Sequence, residues 1–195
     1  MPDLDIVDHL QNVVHPDFLV RAQGGMIVIE EADPGSTNRR FELDASCRCV
    51  ALKLDFPRPS SGRVQVDKAL PFFRCDAPGL TAKCDMIVFV AAGGETGSAK
   101  AFLVEMKSLR PGNSMTQMLS SREFAKYLFA VAKLHGVPCD SAEFFGLRIR
   151  RKAIPAKGTS RPPRPKFETH RESGFKFCDW DASFPLTVRA LRDAA

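Results

Sequence analysis

An aspartate, a glutamate and a lysine stand at the ends of two short apolar stretches. Asp85 opens DMIVFV (85 to 90), while Glu105 and Lys107 lie near the end of AFLVEMKS (101 to 108). Carboxylate oxygens bind hard divalent cations such as Mg²⁺, and a neighbouring ammonium offsets negative charge. Such a group can activate water to attack a phosphodiester, with Lys107 orienting or deprotonating that water. This chemistry requires the three side chains to meet.

The spacing of the two stretches predicts that they do meet. Both stretches lack clean alternation, which is typical of strands covered on both faces. If AAGGETGSAK between them turns near Glu95, residues whose numbers sum to about 190 lie opposite each other, and Asp85 pairs with Glu105. Lys107 projects from the same face as Glu105, because strand side chains have a period of two. Two adjacent buried acids require compensation, which a divalent cation and one ammonium supply.

A structural ion pair is the alternative to a metal site. In that interpretation Lys107 only neutralises one acid of an edge strand. The tripeptide EMK is too short to decide between the two, since matches to [D/E]xK arise by chance in a chain of this composition. Its context therefore carries the prediction: an apolar strand on each side of the turn, and an amphipathic helix afterwards.

The order CDMIVFV, FLVEMKS and helix resembles the PD-(D/E)xK nuclease superfamily over roughly residues 80 to 150. The resemblance implies a restriction-endonuclease-like core on which Asp85 and Glu105 bind the metal and Lys107 assists catalysis. Many members of this superfamily have proline immediately before the aspartate, where this chain has Cys84.

The resemblance also implies roles for residues outside the two strands. Members often carry a glutamine early in the next helix, sometimes with a tyrosine further on, and TQMLSSREFAKYL offers Gln117 and Tyr127. Gln117 would position substrate or a metal-bound water; alternatively, it is an ordinary polar residue at a helix start. The family commonly adds an acid from an N-terminal helix. The N-terminal region supplies only Asp3, Asp5, Asp8 and Asp17, while Glu30, Glu31 and Glu42 fall on predicted strands, so the sequence does not identify this ligand.

Basic residues concentrate beyond the predicted strand AEFFGLRIRRKA (142 to 153). Between residues 148 and 176 the formal charge balance is +8, against +5 for the whole chain. Such a segment binds phosphates through Coulomb attraction and counterion release. The predicted nucleic-acid contacts are Arg148, Arg150, Arg151 and Lys152. The alternative is a solvated, mobile basic loop.

The cysteines offer a second metal hypothesis. Cys47 and Cys49, with Cys75 and Cys84 downstream, supply four thiols that zinc would accept. Their spacing fits no familiar zinc finger, however. Reduced, buried thiols are the simpler interpretation for a chain without an apparent secretion signal.

Periodicity and turn residues predict the elements that position these groups. Helices are predicted over 3 to 14, on the sheet edge, over 114 to 135 and near 185 to 192. Strands are predicted over 26 to 31, 39 to 45 and 49 to 56, as an antiparallel hairpin or meander, and over 85 to 90, 101 to 108, 142 to 153 and 175 to 180. The apolar stripe predicted for the long helix consists of Met115, Met118, Leu119, Phe124, Tyr127, Leu128, Val131 and Leu134.

This order predicts an α/β protein, with a mixed central β-sheet flanked by helices. A chain of 195 residues with 44% apolar residues forms one domain over 1–195. Its parts are an N-terminal helix and β elaboration (1–79), a core motif region (80–150), and a basic loop with C-terminal strand and helix (151–195). The acidic N-terminus and the absence of a long apolar run predict a cytoplasmic protein without membrane attachment.

Together these features predict a nuclease that uses Mg²⁺ or Mn²⁺ to hydrolyse DNA, with RNA remaining open, in bacterial defence or repair. The alternative is a catalytically inactive module on the same fold that binds nucleic acid or protein. Under either hypothesis, recognition of a particular nucleic-acid sequence would require a partner protein or a homodimer. The amino-acid sequence does not decide between these assemblies.

Overall fold

The chain forms an α/β structure in which helices and a small sheet cover the two faces of a larger sheet. The computed structural model describes residues 5–31, 38–54, 82–91, 97–107, 112–151 and 163–195. The helices are α1 (Ile6–Val13), α2 (Ser114–Leu134) and α3 (Val188–Ala194), with a 3-10 turn at Pro16–Phe18. None of the helices in these ranges is long and apolar enough to cross a membrane.

The strands follow the predicted order, with three additional two-residue strands. They are β1 (Leu19–Val20), β2 (Met26–Glu30), β3 (Arg40–Asp44), β4 (Cys49–Lys53), β5 (Met86–Ala91), β6 (Ser98–Lys107), β7 (Ser141–Arg150), β8 (Glu168–Thr169), β9 (Lys176–Asp181) and β10 (Leu186–Thr187). The short strands β1, β8 and β10 were not predicted, because two residues carry no periodicity.

The larger sheet has seven strands in the order β1-β4-β5-β6-β7-β9-β8. Strand β5 is antiparallel to both β4 and β6, whereas β6, β7 and β9 run parallel. Met86 lies opposite Val104, so the predicted register of the β5–β6 hairpin is confirmed. The predicted mixed central sheet is confirmed as well, with β6 at its middle.

A smaller sheet has the order β10-β3-β2. Strands β2 and β3 form the predicted antiparallel hairpin. The continuation of this hairpin into a meander is wrong, because β4 joins the larger sheet between β1 and β5. Three successive buried residues, Val50 to Leu52, explain this position: β4 has apolar side chains on both faces, and only the larger sheet is covered on both.

Helices α1 and α2 cover one face of the larger sheet, and the smaller sheet with α3 covers the other. The prediction that α1 lies on the sheet edge is wrong, because α1 packs on the face formed by β4 and β5, beside α2. Its side chains Ile6, Val7 and Leu10 are buried there. Asp5 caps the helix by accepting hydrogen bonds from the amides of Val7 and Asp8.

The buried stripe of α2 differs from the predicted one. Its buried residues are Ser114, Met118, Ser121, Ala125, Phe129 and Ala132. Tyr127 and Leu134, which were predicted to be buried, are 63% and 85% exposed. Small residues face the sheet because α2 lies very close to it. A Cβ added to Gly146 of β7 would lie 2.8 Å from the Met118 sulfur.

Candidate metal and nucleic-acid site

The two predicted metal ligands and the lysine converge where β5 begins and β6 ends. Asp85 immediately precedes β5, and the β5–β6 register continued by one residue places it opposite Glu105. Lys107 Nζ lies 2.5 Å from Glu105 Oε1. Alternation along β6 directs Glu105 and Lys107 to the face that α2 covers, since Ala101 and Leu103 pack there. The predicted juxtaposition of the three side chains is therefore observed.

Glu105 is a fully buried acid, with 0% of its surface exposed. Apart from the ion pair with Lys107, neither of its carboxylate oxygens accepts a hydrogen bond of normal geometry within the described ranges. Burial and the nearby charge of Asp85 raise the pKa of Glu105 to about 8, although the Lys107 ammonium opposes this shift. Apart from the Lys107 ammonium, the charged carboxylate has none of the hydrogen bonds that would offset the cost of its burial within the described ranges.

Asp85 is held by backbone contacts on both neighbouring strands. Its side-chain oxygen Oδ2 accepts a hydrogen bond of 2.6 Å from the amide of Met106 on β6. Its carbonyl oxygen accepts one of 3.0 Å from the amide of Leu54, at the end of β4. The carboxylate is consequently fixed beside Glu105 rather than free to turn away.

Gln117 lies in the first turn of α2 and contacts the segment that leads to Asp85. Its amide nitrogen Nε2 donates a hydrogen bond of 3.2 Å to the carbonyl oxygen of Lys83. One turn further, the Ser121 hydroxyl accepts a hydrogen bond of 2.8 Å from the amide of Cys84. Gln117 therefore contributes to the position of Asp85 through the backbone.

Two of the predicted nucleic-acid contacts form an ion-pair network inside the fold. Arg148 and Arg150 belong to β7, opposite Glu105 and Lys107 on β6. Arg148 donates two hydrogen bonds, of 2.5 and 2.8 Å, to the carboxylate of Asp179 on β9, and Arg150 donates a third of 2.9 Å. The Arg148 side chain is only 14% exposed. The alternative of a solvated, mobile loop is therefore wrong for these two residues.

The other two predicted contacts lie beyond β7. Arg151 is exposed at the point where the described segment ends. Lys152 lies outside the described residues. Among the four basic residues, Arg151 is thus the one that the structure places openly at the surface.

An additional acid near the site is Glu31, which directly follows β2. Its negative charge contributes to the raised pKa of Glu105, so it lies within electrostatic reach of that carboxylate. The sequence places Glu31 at a strand end but contains no signal that the smaller sheet brings it towards β6. Within the described ranges, no three or more His, Cys, Asp or Glu residues form a ready metal-binding group.

The structure agrees with one part of the ion-pair alternative, the contact itself, but not with its location on an edge strand. The contact between Lys107 and Glu105 exists, but β6 is a central strand flanked by β5 and β7, not an edge strand. A pair placed to balance charge at an edge would be solvated and would need no burial. The central position buries Glu105 beside the partly buried Asp85, which lowers stability, so an ion pair with Lys107 does not by itself explain the two acids.

The described cysteines do not come together. Cys47 and Cys49 pack against the core beneath the smaller sheet, whereas Cys84 is buried on the opposite face of the larger sheet. Burial raises the pKa of the Cys49 thiol to about 11, which disfavours the thiolate that zinc requires. Cys75 lies outside the described residues. All five described cysteines are free thiols, of which Cys84 and Cys178 are buried and Cys47, Cys49 and Cys139 are partly buried.

Comparison of the chain with protein-family models, with curated proteins and with solved structures gives no match.

Proposed function

We propose that this protein is a metal-dependent nuclease that hydrolyses phosphodiester bonds at Asp85, Glu105 and Lys107. One observation carries the proposal: the buried Glu105 carboxylate has no normal hydrogen bond among the described residues, yet it lies beside a second acid and a lysine. A purely structural role would favour a hydrophobic residue here, because burying like charges lowers stability. Binding of a cation explains why Glu105 and Asp85 are present at the centre of the sheet.

The side chains fit a hard divalent cation such as Mg²⁺ or Mn²⁺. Magnesium is bound by one or two carboxylates and keeps several waters, so a site does not require three protein ligands. Glu105 and Asp85 would hold the ion, and Glu31 is the additional acid closest in electrostatic terms. When bound, such a cation activates water as a nucleophile and offsets charge on the phosphoryl group.

The protein side chains supply the remaining functions. The Lys107 ammonium, held beside Glu105, donates hydrogen bonds to a phosphate oxygen and stabilises the negative charge that develops during hydrolysis. The network of Arg148, Arg150 and Asp179 lies next to these residues across β7 and β9. These ion pairs join β7 to β9 and so steady the strand that pairs with the Glu105–Lys107 end of β6, which favours the fixed geometry that catalysis requires.

The order of elements supports a restriction-endonuclease-like core. The antiparallel pair β5–β6 carries Asp85 and the Glu105–Lys107 element, α2 follows, and β7 returns parallel to β6. This order agrees with what the resemblance to the PD-(D/E)xK superfamily implies. DNA is the substrate that the resemblance favours, and RNA is tested beside it.

The decisive experiment is cleavage by the purified chain of single-stranded DNA, duplex DNA and RNA, with Mg²⁺ or Mn²⁺ and with EDTA. The test variant is Glu105→Gln, and the matched control is Glu143→Gln, which makes the same change at an exposed position on β7. We expect metal-dependent cleavage that falls by about 100-fold or more in Glu105→Gln alone. If the wild-type chain cuts none of the three substrates with either metal, the inactive interaction module replaces the nuclease proposal.

A further inference from the structure

A cavity of about 530 Å³ opens between the two sheets, at the end of β5 where Asp85 lies. Strands β1, β4 and β5 of the larger sheet form one wall, and β2 and β3 form the other. The lining residues include Val20, Arg21, Gln23, Val28, Lys53 and Asp85. Asp85 belongs both to the cavity and to the candidate metal site, so a ligand in the cavity would approach that site at Asp85, whereas Glu105 and Lys107 project from the opposite face of the larger sheet.

Two cations of the cavity have no ion-pair partner among the residues that the structure describes. Arg40 at its rim is paired with Glu30 and Glu42, at 3.5 and 2.9 Å. Arg21 and Lys53, by contrast, have no ion-pair partner within the described ranges. Lys53 lies on β4 directly opposite Met86, one residue from Asp85. The lining also contains Asp17, Glu30 and Asp85, so the positive charge available to an anionic ligand is local to Arg21 and Lys53.

The size and the walls of the cavity suit a single nucleotide. Its volume falls in the range of about 300–1,000 Å³ that is usual for sites of small ligands. Val20 and Val28, both partly buried, offer apolar surface for the face of a base, while Gln23 offers a donor and an acceptor for a base edge. Paired bases are read in grooves by protruding elements, whereas pockets accept bases that are out of the stack.

We infer that this cavity binds an unpaired nucleotide of the substrate, with Arg21 and Lys53 contacting the phosphates beside the one that is cleaved. The inference rests on the proposed function and makes it more specific: the substrate is a single strand, or a strand end, rather than an intact duplex. Arg21 and Lys53 are binding residues in this scheme and do not act on the scissile bond.

Binding in EDTA tests the inference without cleavage. A labelled single-stranded oligonucleotide, as DNA and as RNA, is compared with a blunt duplex of the same sequence by fluorescence anisotropy at several salt concentrations. We expect tighter binding of the single strand. The double variant Arg21→Gln/Lys53→Gln should weaken that binding by about tenfold or more, the scale of a lost charge-assisted hydrogen bond. The dependence of log affinity on log salt should become shallower by about 0.7 for each lost contact.

Two further variants separate charge from shape and from general electrostatics. Val28→Trp fills the cavity without changing charge and should also reduce single-strand binding. Arg189→Gln removes a positive charge from α3, which does not line the cavity, and should leave binding unchanged. Thermal denaturation of each variant verifies folding.

The inference is overturned if the protein binds the duplex as tightly as the single strand, or if it binds neither single-stranded DNA nor single-stranded RNA. It is also overturned if the cavity variants bind the single strand with wild-type affinity. Cavity-dependent binding without any cleavage in Mg²⁺ or Mn²⁺ would remove the nuclease proposal and leave this inference standing. If the wild-type protein cleaves nucleic acid but the cavity variants bind it normally, the nuclease proposal stands and the inference about the cavity falls.

Discussion

Asp85 and Met106 are joined by a hydrogen bond of 2.6 Å, in which the backbone amide of Met106 donates to the Asp85 carboxylate. The bond ties the start of β5 to the end of β6, one residue beyond Glu105. Asp85 therefore has two roles: it brings negative charge to Glu105, and it satisfies an amide at the end of the β5–β6 ladder. Substitutions at this position must separate the two.

We expect Asp85→Asn and Asp85→Ala to differ in stability but not in metal binding. Asparagine keeps an oxygen that can accept from the Met106 amide, whereas alanine leaves that amide without its partner, which costs about 1–3 kcal/mol. Both lose the carboxylate, so calorimetric binding of Mg²⁺ or Mn²⁺ should disappear in each. Urea denaturation measures the stability difference. Wild-type metal affinity in Asp85→Asn would exclude Asp85 as a ligand.

The raised pKa of Glu105 predicts a loss of stability as pH increases. Its pKa is about 8 in the folded protein and ordinarily 4.5, so between these values the folded state retains a proton that the unfolded chain has lost. The contribution of Glu105 to the free energy of unfolding should therefore be fully present below pH 4.5 and should be lost, by several kcal/mol, as pH rises through about 8.

Denaturant titrations across this pH range test the assignment. Glu105→Gln, which cannot ionise, should flatten the decline, while Glu143→Gln should retain it. Because a ligand that binds only the folded state raises stability, Mg²⁺ should restore much of the loss at high pH in the wild type. An unchanged pH profile in Glu105→Gln would mean that another group causes the decline.

Lys107→Ala should separate metal binding from catalysis. Lys107 is not a ligand, so affinity for metal and for nucleic acid should persist when measured well above pH 8, because loss of the ammonium raises the pKa of Glu105 further. Cleavage should nevertheless fall by a factor of roughly 100 or more, the scale of losing a positioned electrostatic stabiliser. Lys133→Ala, at an exposed position near the end of α2, is the control. Equal cleavage by Lys107→Ala and wild type would argue for a structural ion pair.

Arg148 and Arg151 should respond differently to replacement by alanine. Arg148→Ala breaks two charge-assisted hydrogen bonds to Asp179 and should lower stability by about 1–3 kcal/mol. Arg151→Ala should leave stability unchanged, because its side chain is exposed, and should make the salt dependence of nucleic-acid binding shallower by about 0.7–0.9. Wild-type stability of Arg148→Ala would contradict a structural role for the ion pair with Asp179. Unchanged salt dependence of binding in Arg151→Ala would contradict a phosphate contact by Arg151.

Local patterns in the sequence determine the β5–β6 hairpin and its register. Two apolar stretches separated by one turn leave few ways to pair, and a period of two then places Glu105 and Lys107 on one face. The bounds of β2, β3 and α2 follow equally from local periodicity. For these features the interacting residues are close in the chain, so the sequence around them contains the necessary information.

Tertiary structure alone decides what surrounds that hairpin. Asp179 lies 31 residues from Arg148, and only the parallel pairing of β7 with β9 turns that arginine from a surface charge into half of an ion pair. The choice of Met118 and Ala125, rather than Tyr127, for the buried face of α2 depends on how closely the sheet approaches at Gly146. The cavity with Arg21 and Lys53 exists because two sheets diverge above Asp85. Packing between segments that are distant in the chain sets these relationships. The periodic pattern of one segment does not identify the segment that packs against it.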